Sequence, residues 1–156
     1  MLRLYGRGFI ALIAVLIATP VLSQAANFDT LTLSAGFPKQ KGTAAGYTGG
    51  SFSLPSIANS DRNNKPCLGF GGSKTPDYII NLETDFPNLK VAVNSGNKDT
   101  TLVMRGPNNL ILCGDDTGSS KDASVEATNL KAGKYEIWVG TIEAGKNWNY
   151  TLTVTE

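Results

Sequence analysis

The chain has 156 residues with 14 basic and 13 acidic side chains, no histidine and two cysteines. A balanced charge with no basic run argues against nucleic acid or an anionic membrane as the main partner. The missing imidazole removes the commonest proton acceptor of hydrolases, and a zinc site has only two thiols to draw on.

The first segment reads as an export signal. Arg3 and Arg7 form a positive start, Phe9 to Leu22 is almost unbroken apolar sequence, and Ser23-Gln24-Ala25 offers small residues at the positions a signal peptidase reads. We expect a signal-peptide helix over residues 1–25 and cleavage after Ala25. A retained membrane anchor is the rival reading, but the apolar run falls short of the roughly 20 residues that span a bilayer, and Pro20 breaks it. The location expected is therefore secreted or periplasmic, with no membrane association after cleavage. Residues 26–156 then carry 12 basic against 13 acidic residues and match the size of one ordinary domain.

From residue 26 onward, alternation with period two dominates. Leu31 and Leu33 alternate with threonines, and Ser34 to Lys65 follows as Gly-, Ser- and Asn-rich loops around one or two edge strands. Residues 26–66 are thus a loop-rich opening to the domain. Cys67 and Cys113 suggest one disulfide in an oxidising compartment, closing a loop worth about 4 kcal/mol by chain entropy. Alternating runs follow at Tyr78–Leu82, Leu89–Val93, Thr100–Arg105 and Tyr135–Val139, with a short strand expected over Asn109–Leu112. Trp148, Tyr150, Leu152 and Val154 line up as a last core-facing strand. Turn residues at Ser95-Gly96-Asn97, Gly106-Pro107-Asn108 and Lys131-Ala132-Gly133 separate the runs. No stretch carries a sustained helical stripe. The fold class is all-β, with short antiparallel strands in a sandwich or a barrel.

The second half carries more specific pieces: Pro76-Asp77-Tyr78, Asp99-Thr100-Thr101-Leu102, Cys113-Gly114-Asp115-Asp116 and Gly133-Lys134-Tyr135-Glu136-Ile137-Trp138-Val139. Over residues 67–156 the sequence resembles the bacterial pre-peptidase C-terminal domain. The resemblance implies a jelly-roll-like antiparallel β-sandwich, usually appended to exported proteases as an accessory module for targeting, secretion or substrate binding. Stand-alone relatives are sometimes labelled peptidases by association. The residues do not support that label. No histidine exists for a Ser-His-Asp or Cys-His arrangement, and no His-Glu-x-x-His motif is present to hold zinc. No Ser and Lys form a recognisable dyad, and Asp99, Asp115, Asp116 and Glu143 pair no better than other loop acids.

Two sets of site residues stand out. Asp99, Asp115, Asp116 and Asp122 could supply part of a calcium shell, against the alternative that Asp99 and Asp115 cap turns through backbone amides. Gly114 departs from relatives that often carry a further Asp there. Trp138 shares a strand face with Lys134 and Glu136, opposite the core-facing Tyr135, Ile137 and Val139. An exposed Trp there would stack on a sugar or anchor a protein, whereas a covering loop or a bulge would bury it. The function expected is a secreted, non-catalytic module binding extracellular protein or polysaccharide, or serving an exported peptidase. A self-associating envelope or matrix subunit using open strand edges is the alternative, and a hydrolase the third.

Overall fold

The computed structural model describes residues 25–156, so the expected signal segment, residues 1–24, lies outside the described residues. Among the described residues there are eleven strands: β1 (Asp29–Leu33), β2 (Thr43–Tyr47), β3 (Phe52–Ser53), β4 (Phe70–Gly71), β5 (Tyr78–Leu82), β6 (Phe86–Asn94), β7 (Thr100–Arg105), β8 (Ile111–Gly114), β9 (Ser124–Leu130), β10 (Gly133–Thr141) and β11 (Asn149–Thr155). Only short 3-10 turns interrupt them, and among the described residues no helix is long and apolar enough to cross a membrane.

Two sheets pack face to face. The four-stranded sheet runs β2-β11-β6-β9. In the seven-stranded sheet β10 is central, with β5 and then β1 on one flank and β7 and then β8 on the other. β5 pairs with β10 over Gly133–Ile137, and β4, with β3 beyond it, resumes the pairing at Thr141. All pairings are antiparallel except β1 with β5, which run parallel. The expected antiparallel sandwich is present with this one parallel pair: after β1 the chain crosses to the other sheet as β2, so β1 and β5 are not hairpin partners.

Alternation explains which side chains meet between the layers. Leu31, Leu33, Tyr78, Ile80, Val91, Val93, Leu102, Met104, Ile137, Val139, Leu152 and Val154 form one buried cluster contributed by both sheets. Their neighbours on β7, β8 and β10 point the other way. Val103, Cys113 and Trp138 meet Leu54 and Cys67 in a second buried cluster on the outer face of the larger sheet, with Phe52 and Ile57 packed against it. The segment from β3 to Cys67 is therefore a cover, laid over the outside of the sandwich.

The Cys67–Cys113 disulfide is present, with Cα atoms 5.1 Å apart. It fastens this cover to β8 rather than bracing one sheet against the other. Two strand readings shift. Asn108 and Asn109 adopt positive φ (55° and 58°) in a turn at Pro107–Asn109, so the strand expected from Asn109 begins at Ile111. Trp148 is half-buried ahead of β11 rather than in the core with Tyr150.

Candidate functional site

Trp138 is 2% exposed, which corrects the reading of it as an open ligand platform. Alternation assigned its face correctly, but the cover closes over that face. Its indole N–H donates to the Lys74 carbonyl at 3.1 Å, and the Arg105 guanidinium lies 5.1 Å from the ring centroid. Glu136, on the same face, is buried and saturated. Arg105 Nε donates to its Oε2 at 2.7 Å and Lys134 Nζ to its Oε1 at 3.1 Å. Burial pushes the Glu136 carboxyl up, but the bonds from Arg105 and Lys134 outweigh it and hold the group below its usual range. Lys134, Glu136 and Trp138 thus form a packed and paired face whose polar atoms are engaged within the fold.

The four acidic residues separate. Asp99, Asp115 and Asp116 each bring a carboxylate oxygen within 4.8 Å of the others. Burial, then the charges of Asp116 and Asp99, raise the Asp115 carboxyl, partly offset by Lys65. Asp122 sits apart and organises the turn between β6 and β7. Its Oδ1 accepts from the Ser95 amide at 2.8 Å and its Oδ2 from the Asn97 amide at 3.1 Å. Burial alone would raise this carboxyl; the donors at Ser95, Asn97 and Ser120 lower it instead. Asp122 thus caps a turn, a role the sequence suggested for Asp99 and Asp115 and not for Asp122.

A different site, unmarked in the sequence reading, lies where β1 and β2 border the two sheets. Phe28, just ahead of β1, meets Tyr47, the last residue of β2, edge to face at 4.9 Å between centroids. The pair links the edge of one sheet to the edge of the other. Two adjoining hollows share both rings as lining. One, of about 460 Å³, is walled by Asn27, Gly49, Gly50, Asp77 and Asn147; the other, of about 580 Å³, by Gly46, Asn94, Asn149 and Tyr150. Neither is lined by Lys or Arg. Tyr47 is 56% exposed.

The rim of this trough is tied down. The Thr48 amide donates to the Trp148 carbonyl (2.9 Å), the Thr48 hydroxyl to the Lys146 carbonyl (2.8 Å), and the Gly145 amide to the Gly50 carbonyl (2.8 Å). On the far wall the Asn27 and Phe28 amides donate to the Pro76 and Asp77 carbonyls. Gly46 is required beneath Tyr47: a Cβ there would sit 2.3 Å from the Tyr78 hydroxyl and 2.7 Å from that of Tyr150. Both hydroxyls are buried and lack a partner in good geometry. Burial drives the Tyr78 phenol up to about 12 and raises that of Tyr150 further.

Asp77, 5% exposed, occupies the break in the β10 flank where β5 has ended and β4 has not begun. Its Oδ2 accepts the Val139 amide at 2.8 Å, standing in for a missing strand partner, and its Oδ1 accepts the Asn27 side-chain amide at 3.0 Å. Burial raises its pKa to about 6, against the pull of those two donors. The native protein therefore holds this proton at pH values where the unfolded chain has released it. The contribution of Asp77 to stability should fall as pH rises from about 4 to about 6 and then level off, a change of up to about 3 kcal/mol that the lowered carboxyls of Glu136 and Asp122 oppose. Urea midpoints across that range check this, and Asp77→Asn should flatten the profile.

No protein-family model matches the chain, and no curated protein does. Among solved structures, the chain is similar to the pre-peptidase C-terminal domain of a collagenase from Bacillus anthracis, at 17% identity, TM-score 0.47, over 81% of this chain and 94% of that one. It is also similar to a surface-associated copper-binding protein of Methylomicrobium album BG8 (9% identity, TM-score 0.47, 84% and 99% covered). A third is a periplasmic inhibitor of g-type lysozyme from Aeromonas hydrophila (18%, 0.39, 81% and 97%).

Proposed function

We propose that the chain is an exported, non-catalytic β-sandwich module that binds an extracellular protein or polysaccharide, in the periplasm or the medium, on its own or beside an exported peptidase. The observation that supports this reading is the trough at Phe28 and Tyr47: a half-open aromatic platform held between tied loops, of the volume that ligand sites occupy. Export is supported by the leader-like sequence ending at Ala25 and by a disulfide of the kind that persists in oxidising compartments. The lack of histidine favours binding over hydrolysis. Two measurements test the reading. The protein recovered from outside the cytoplasm should begin at Ala26. Purified protein should be retained on immobilised gelatin or on an insoluble glycan, and should release no peptides from casein. Retention on neither, or cleavage of casein that a point substitution abolishes, would sink it.

Calcium at Asp99, Asp115 and Asp116 belongs to the same proposal. Three clustered carboxylates can supply part of a six- to eight-oxygen shell, and a cation would offset the burial and the repulsion that together raise Asp115. Millimolar calcium should raise the melting temperature by about 5 °C over a chelated sample. Asp115→Asn should abolish the difference; equal melts with and without calcium would rule the site out.

A further inference from the structure

We propose that the trough takes a neutral oligosaccharide, with a sugar ring laid on Tyr47 and its hydroxyls held by the surrounding side-chain amides. The proposal rests on the binding-module reading and names the chemistry of that site. Four observations carry it.

The first is the platform. Tyr47 exposes more than half of its surface yet is held on edge by Phe28, so a ring can stack on it at little cost in side-chain freedom. The second is the polar lining. Asn147 and Asn149 line the two hollows beside Asn27, whose Nδ2 already donates to Thr75 and Asp77, and Asn94, whose Oδ1 accepts from the Gly96 amide; an amide both donates and accepts, as a sugar hydroxyl does.

The third is charge. No Lys or Arg lines either hollow, so a sulfated, phosphorylated or uronic polymer would find no counter-charge. The one carboxylate, Asp77, already holds Val139 and Asn27, which leaves little for a cationic peptide. The fourth lies at the floor. Tyr150 lines the second hollow, and its buried hydroxyl has that of Tyr78 beside it but no partner in good geometry. A solvent molecule ordered beneath a bound ligand can supply a bond that such a hydroxyl lacks.

A protein partner fits less well. A stable interface needs roughly 800 Å² per side around an apolar centre, and Tyr47 is the exposed large apolar side chain of this trough.

Affinity electrophoresis of the purified protein tests the idea, in gels cast with neutral glycans (laminarin, glucomannan, soluble starch) or anionic ones (alginate, heparin). Retardation is expected in at least one neutral gel and in neither anionic gel. Tyr47→Ala should weaken that retardation roughly tenfold, with a melting temperature lowered by only a few degrees, because the ring is 56% exposed and loses chiefly its contact with Phe28. Tyr47→Trp should retain it, and Asn147→Ala should weaken it. No retardation by any neutral glycan overturns the inference, as does retardation that Tyr47→Ala leaves intact. If the protein binds alginate, heparin or gelatin through Tyr47 instead, the neutral-sugar inference falls while the binding-module reading stands. If it binds none of these polymers, both fall.

Discussion

Trp138→Ala is expected to destabilise the protein by about 3–5 kcal/mol, the loss typical of emptying a buried aromatic site. The indole is the largest side chain of the outer cluster, packed with Leu54, Val103 and the disulfide. Its removal also strands the Lys74 carbonyl and takes away the ring beneath Arg105. Trp138→Phe separates these terms: it keeps most of the packing and loses the N–H bond, at about 1–2 kcal/mol. Urea unfolding of the two variants beside the parent measures both. A midpoint unmoved by the alanine variant would mean that the cover does not pack on β10.

Opening the Cys67–Cys113 bridge should cost about 4 kcal/mol, the chain-entropy value for a sequence separation of 46. Because the bridge joins the cover to β8, its loss should be felt first outside the central core. Hydrogen exchange in the Cys67Ser/Cys113Ser double variant should quicken over residues 52–68, while the amides of β6 and β11 stay protected until global unfolding. Equal quickening across both sheets would contradict the placement of the bridge on the periphery. Combining the double variant with Trp138→Ala should cost less than the sum of the separate losses, since all three side chains occupy one cluster.

Strands with large apolar residues every second position were legible in the sequence: β5, β6, β7, β10 and β11 fall where alternation puts them. β9 was not, because Ala127 is a weak marker and Asn129 breaks its run with a positive φ of 55°. β2, sequence Thr-Ala-Ala-Gly-Tyr, was legible only as an unspecified edge strand for the same reason. Trp138 marks another limit. A period of two tells which face a side chain takes, but not whether a segment some 70 residues earlier folds back over it. The acidic cluster was partly legible, since Asp115 and Asp116 are neighbours and Asp99 opens an adjacent strand; Asp122 was drawn in by proximity in sequence alone. The trough was invisible. Asn27, Tyr47, Asp77 and Asn147 come from four separated stretches, and the parallel docking of β1 on β5 is what sets Asn27 beside Asp77. A signal existed in Asp77 itself, an acid immediately ahead of an apolar run, where a carboxylate must be exposed or have internal partners.

The parallel seating of β1 also decides how the molecule should be handled at the bench. Asn27 and Phe28 stand at the trough, while the side chain of Glu156 reaches the Gly36 amide, beyond the opposite end of β1. Any carrier, tag or dye joined ahead of Asn27 would leave from the mouth of the trough and crowd it. The same attachment made after Glu156 would leave the aromatic rim unobstructed, so surfaces for capture assays should be coupled through the carboxyl end.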